Sequence, residues 1–160
     1  MASGTIKTGV NMLNQTTSVE KVTDVIQVMS AGVDFYHDAV EQVKDTVIRN
    51  TFIKIASKKE AAILALQPLA LEEQGKTEDG SSIAVESRKM YTKFATMFTN
   101  DGDYTYVKQL EEVEDKVLKV LDDALNEEQP VEAMTILTNI RGDAQLMHDE
   151  MKALQEQTKH

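Results

Sequence analysis

The feature that most constrains this chain is a run of apolar residues spaced alternately by four and three: Val22, Ile26, Met29, Val33, Tyr36, Val40, Val43 and Val47. A strand lines up every second residue, so it cannot gather these positions on one face. An α-helix with 3.6 residues per turn gathers all of them. A stripe of this kind has to leave water, and its 4-3 rhythm is that of helices packed on helices. The spacing predicts a first helix from about Ser18 to about Lys44, with Ser18 as its cap and Glu20 and Asp24 near its positive end. Val25, Gly32 and Ala39 widen the stripe, and Gly32, a poor helix former, marks a close approach by another helix.

The same pattern recurs along the chain. After a turn at Asp45-Thr46, a second helix carries Phe52, Ile55, Ala56, Ile63, Leu66 and Leu69 on one face, with Lys54, Lys58 and Lys59 read as lying off it. So short a turn implies an antiparallel pair. Pro68 is expected to kink or stop this helix, because it lacks an amide donor and clashes with the preceding turn. The polar stretch 72–82 reads as a crossover loop, followed by a shorter helical pattern over 82–98 that stops at Asn100-Asp101-Gly102. A third long helix begins behind Asp101 or Asp103 with Val107, Leu110, Val113, Val117, Val120, Leu121 and Ala124 inward. Pro130 suits the first turn of a fourth, which carries Met134, Leu137, Ile140, Ala144, Met147, Met151 and Leu154 and fades over 155–160.

Composition narrows the function. Cysteine is absent, which removes disulfides, thiolate catalysis and iron–sulfur clusters together. A net charge of −10, spread along the chain, disfavours nucleic acid and anionic membranes as partners. No stretch reaches the roughly 20 apolar residues that span a bilayer, so the expectation is a cytoplasmic protein with no membrane partner. Residues 1–17 read as a polar arm, and 18–160 as a single domain. No Gly-x-Ser-x-Gly turn or phosphate-cradling glycine loop occurs. The eight methionines lie mostly in phase with the aliphatic stripes and read as core filling.

Two helical pairs joined by a long connection holding an extra helix is how bundles with one crossover are organised, a plain up-down bundle being the alternative. The chain also resembles the small bacterial ferritin-like family of unknown function with a rubrerythrin-like four-helix domain. The resemblance spans about Ser18 to Leu154. It rests on Ala31-Gly32-Val33-Asp34-Phe35-Tyr36, on Ile48-Arg49-Asn50-Thr51-Phe52 leading into Ala56, on the 82–98 helix, and on Glu112-Val113-Glu114-Asp115 with His148-Asp149. It implies an all-α, ferritin-like four-helix bundle with a long crossover containing an extra short helix, in an aqueous intracellular setting. It does not imply an activity.

A di-iron centre in such a bundle takes a Glu from each of two helices and a Glu-x-x-His from each of the other two. No Glu-x-x-His occurs; Asp34-Phe35-Tyr36-His37 and Gln145-Leu146-Met147-His148 come nearest. Phase puts Glu114 at or beside the core and His148 close to the inner face, so these two are the first candidates for an iron or manganese ligand. Asp34, His37, Glu41 and Glu60 are outer candidates. Against this stands the plainer reading of Glu114 as a snorkelling or solvated acid, His148 as a boundary histidine, and Glu111, Glu112, Glu114 and Asp115 as a solvated helix face. With the ligand set incomplete, a non-enzymatic binding or assembly bundle is the first expectation and a divergent metal-carboxylate protein the second. A homodimer or higher oligomer is expected, through the 82–98 helix or a bundle face.

Overall fold

The computed structural model describes residues 17–80 and 102–159. Among these the chain is all-α, with four helices and no strand: α1 (Val22–Gln42), α2 (Thr46–Gln74), α3 (Asp103–Leu125) and α4 (Val131–Thr158). The polar arm up to residue 16, the inserted 82–98 helix with its expected dimer contact, and the stop at Asn100-Asp101 lie outside the described residues. No described helix is long and apolar enough to cross a membrane.

Side chains that bridge the helix ends give their directions. At one end, Asp103 at the start of α3 accepts from the backbone amides of Lys44 and Asp45, both at 2.9 Å, where α1 gives way to α2. At the other end, Glu73 near the close of α2 accepts from the Thr23 amide and hydroxyl at the start of α1. Gln129, in the α3–α4 turn, accepts from the Glu20 amide and donates to the carbonyls of Glu20 and Ala124. Thus α1 and α2 are antiparallel, α3 and α4 are antiparallel, and α2 and α3 run the same way. The connection from Gly75 to Gly102 therefore leaves one end of the assembly and returns at the other. α1 packs against α2 and α3, α3 against α4, and α2 more sparsely against α4. All four contribute to one core, with Ile26, Met29, Phe52, Ile55, Leu110, Leu121, Leu137 and Met151 fully enclosed.

Several expectations shift for physical reasons. Ser18 does not cap α1; its hydroxyl bonds to Glu20 instead, and Lys21 occupies the cap position with φ 62° and no side-chain cap bond. Capping comes from across the fold, because the Glu73 carboxylate meets the Thr23 amide, an otherwise orphaned donor beside the helix's positive end. The 4-3 stripe ends one residue short: Val43 is buried in the turn, whereas Val47 sits on α2 and is 69% exposed. Asp45 is not merely a turn residue but the cap of α2, its side chain accepting from the Ile48 amide. Arg49 closes the negative end of α1 by donating to the Val40 and Val43 carbonyls.

Pro68 neither stops α2 nor takes a buried partner away from it. The helix continues to Gln74 and ends at Gly75, whose φ of 82° lies in the left-handed region that a residue without a Cβ adopts most readily. Pro68 and Leu64 both face solvent, so the Leu64 carbonyl that loses its donor can be hydrated. The crossover accordingly starts later than its polar composition suggests. Gly32 does mark a close approach: a Cβ there would lie 3.1 Å from Cγ1 of Val113 on α3.

Candidate functional site

The centre of the fold contains a buried polar trio contributed by three helices. Tyr36 comes from α1, where it continues the stripe after Met29 and Val33. Lys59 comes from α2, one step after Phe52, Ile55 and Ala56, and Glu114 from α3, between Leu110 and Val117. The Lys59 ammonium donates to Oε1 of Glu114 at 2.6 Å, and the Tyr36 hydroxyl donates to Oε2 at 2.6 Å. All three side chains are 0% exposed. The missing side chain at Gly32 makes the room: its would-be Cβ lies 3.9 Å and 4.0 Å from Cδ and Cε of Lys59. The Tyr36 ring meets Phe52 edge-on, with centroids 5.6 Å apart, which fixes the phenol's direction. Burial first, then the charge and hydrogen bond of Glu114 and the charge of Glu150, push the Tyr36 phenol well above its ordinary 10.0.

An isolated charge in this interior would be prohibitively costly, so the arrangement is a matched set: one carboxylate, one ammonium and one hydroxyl, joined by short charge-assisted bonds. Each carboxylate oxygen already accepts one such bond. The position where a metal ion would neutralise Glu114 is held by the Lys59 ammonium, and a cation entering there would meet a buried like charge. The Glu114 expectation thus divides. Phase placed it correctly at the core, but it is neither snorkelling nor solvated. Lys59, assigned from its type to the outside of α2, is enclosed. The overlooked signal was phase: Lys59 lies between Ala56 and Ile63 in the same 3-4 rhythm, and an in-phase lysine, glutamate and tyrosine on three helices form a complementary set.

A second constellation lies on the α3–α4 seam. Glu111 and Asp115 are one turn apart on α3 and share a face. His148 on α4 meets them through Nε2, 2.6 Å from Asp115 Oδ1 and 3.2 Å from Glu111 Oε2. Its Nδ1 lies 3.3 Å from Asp149, whose Oδ1 accepts from Gln145, which in turn accepts from Arg141. Arg141 also pairs with Asp122 on α3 at 2.8 Å, so the ladder is anchored across the same seam. His148 and Glu111 are 14% and 17% exposed; Asp115 is open at 58%. Burial pulls the His148 imidazolium down, but hydrogen bonds to Asp149 and Asp115 and the charges of Asp115 and Glu111 outweigh it, leaving its pKa raised. Burial and the neighbouring Asp115 raise the Glu111 carboxyl.

Glu114 and His148 therefore do not share a site: the first is committed to Lys59 and Tyr36, the second to Glu111 and Asp115. Among the described residues, Glu111, Asp115 and His148 are the group whose ligand atoms lie close enough to hold one ion, all within 4.8 Å of one another. The outer candidates fall elsewhere. Asp34 and Glu60 line an open groove between α1 and α2 with Ser30, Val33, Ile63, Leu64, Asp79 and Gly80. His37 lies 3.9 Å from Glu60, both more than half exposed, and Glu41 sits beside Asp38, Gln42 and Tyr106. Burial and the neighbouring Asp38 raise the Asp34 carboxyl, with His37 opposing.

No curated protein and no solved structure matches the chain. A family described as a domain of unknown function, DUF2383, matches residues 17–127, a stretch that holds Tyr36, Lys59, Glu111, Glu114 and Asp115 and stops before His148. As that match covers more than two thirds of the sequence and all of α1, α2 and α3, the chain belongs to the family of this domain of unknown function.

Proposed function

We propose that the protein is a non-enzymatic bundle of ferritin-like plan that works by binding or assembly. The single observation that carries the reading is the Lys59–Glu114 pair at 2.6 Å, sealed with Tyr36 among core side chains. Ferritin-like catalysis needs carboxylates with lone pairs directed at a shared pair of metal ions, whereas here the one carboxylate in that trio is neutralised by the chain's own ammonium. The parallel course of α2 and α3, which demands one long crossover, supports the ferritin-like plan. Exposed apolar side chains on α2, Ile53, Leu64 and Leu71, and Leu146 on α4 support association with another surface.

The competing reading, a metal-carboxylate protein using Glu114 and His148 together, is disfavoured by their separate commitments. Elemental analysis of protein purified without chelator tests the proposal. Iron and manganese well below one per chain are expected. Either metal at one or two per chain in the wild type and lost in Glu114→Gln overturns the non-enzymatic reading. Light scattering on the same samples tests assembly: a mass above that of one chain is expected, and a monomer across the concentration range, with no bound partner retained, overturns it.

A further inference from the structure

We propose that Glu111, Asp115 and His148 form a surface site for one divalent transition-metal ion, zinc foremost, that clamps α3 to α4. The donor set is one imidazole nitrogen and two carboxylates, which together bring two negative charges to a dication and suit zinc's mixed nitrogen and oxygen preference. The separations are close to those needed. Ligand bonds of about 2.0–2.1 Å at tetrahedral angles put donor atoms about 3.3 Å apart. Glu111 Oε2 already stands 3.2 Å from His148 Nε2; Asp115 Oδ1, at 2.6 Å, must draw back slightly, and its exposed side chain is free to do so.

The second support comes from outside the ligand set. In metal sites the histidine's other ring nitrogen is characteristically held by a carboxylate, which fixes the ring and leaves the ligating nitrogen aimed at the ion. Asp149 stands at Nδ1 in that role, and the 141-145-149 ladder of Arg141, Gln145 and Asp149 holds it in place along one face of α4. With Asp115 open to solvent, the remaining coordination positions fall to water.

This site is separate from the trio around Lys59, shares no residue with it, and does not rest on the preceding reading. Chelator-treated, desalted full-length protein is titrated with zinc chloride by calorimetry, and with cobalt(II) as a spectroscopic substitute. One ion per chain is expected, with visible cobalt bands of a low-symmetry, four- or five-coordinate centre and a rise in melting temperature on adding zinc. His148→Ala and, as a second variant that disturbs only an exposed side chain, Asp115→Asn should each weaken zinc binding at least about tenfold and abolish the melting shift. His37→Ala should leave both unchanged, and helicity by circular dichroism should match the wild type in all three. The proposal is overturned if the wild type takes up no zinc at about 1 mM, if both site variants bind as the wild type does, or if magnesium and calcium bind equally well, since an imidazole donor selects against them. Iron or manganese held through Glu114 would strike at the non-enzymatic reading alone, and zinc binding indifferent to His148 and Asp115 at this site alone.

Discussion

A buried lysine and a buried glutamate are each costly to hold in a helical core, and their pairing makes the cost depend on both at once. Removing one partner leaves the other charged and dry. Lys59→Met should therefore lose about 3–5 kcal/mol of stability, whereas the triple variant Tyr36→Phe, Lys59→Met, Glu114→Leu, which replaces the network with apolar groups, should regain most of it. Urea unfolding of both proteins, compared at unchanged slope, reads the difference; equal loss in the two would mean that packing, not charge, dominates the site. The Tyr36 phenol adds a pH signature. Its folded-state pKa is raised, so the folded protein keeps a proton that the unfolded chain releases near 10.0. Its contribution is complete below that pH and declines as pH climbs from there through the higher folded value. Stability above pH 10 should fall more steeply in the wild type than in Tyr36→Phe, and parallel curves would show that the phenol does not titrate against the fold.

At the scale of elements, the helix ends are satisfied by side chains remote in sequence. α1 starts without a cap of its own and borrows the Glu73 carboxylate of α2, while Asp103 of α3 holds the amides that follow its far end. Ser18, which the local pattern marks as the cap, is exposed and donates to Glu20 instead. Glu73→Ala should thus cost about 1 kcal/mol, the usual worth of a cap, and Ser18→Ala next to nothing. Thermal melts of the two variants decide this, and the reverse order would restore the local cap. The same logic explains Pro68. α2 runs on through Pro68, where the face that loses a hydrogen bond is open to water.

Among the described residues, the fold is a pair of hairpins laid side by side, with α2 and α3 parallel and α4 beside α2. Two exposed ion pairs report that arrangement. Lys54 on α2 reaches Glu150 on α4, and Lys21 before α1 reaches Glu127 in the α3–α4 turn. A zero-length carbodiimide reaction followed by peptide mass spectrometry should join Lys54 to Glu150 and Lys21 to Glu127 within a chain. A plain up-down order would instead set α3 antiparallel to α2 and break the register at both ends. These pairs are markers of geometry more than sources of stability, since exposed pairs contribute little.

The sequence by itself determined the helices, their approximate number and their inward faces. A 4-3 apolar rhythm has only one regular conformation that gathers it, and Gly75 and Pro130 punctuate the chain through their own backbone chemistry. It also placed Tyr36 and Glu114 in the core by phase and singled out His148. What only the tertiary structure decided is which polar residues meet. Lys59 reads as a surface residue until α1 and α3 bring a hydroxyl and a carboxylate to it, because a charge is buried only when a partner from elsewhere in the chain makes burial tolerable. Glu111 and Asp115 likewise read as a solvated helix face until α4 sets His148 against them. Periodicity is a property of one helix and is written locally; complementarity belongs to the contact between helices and exists only once they have packed.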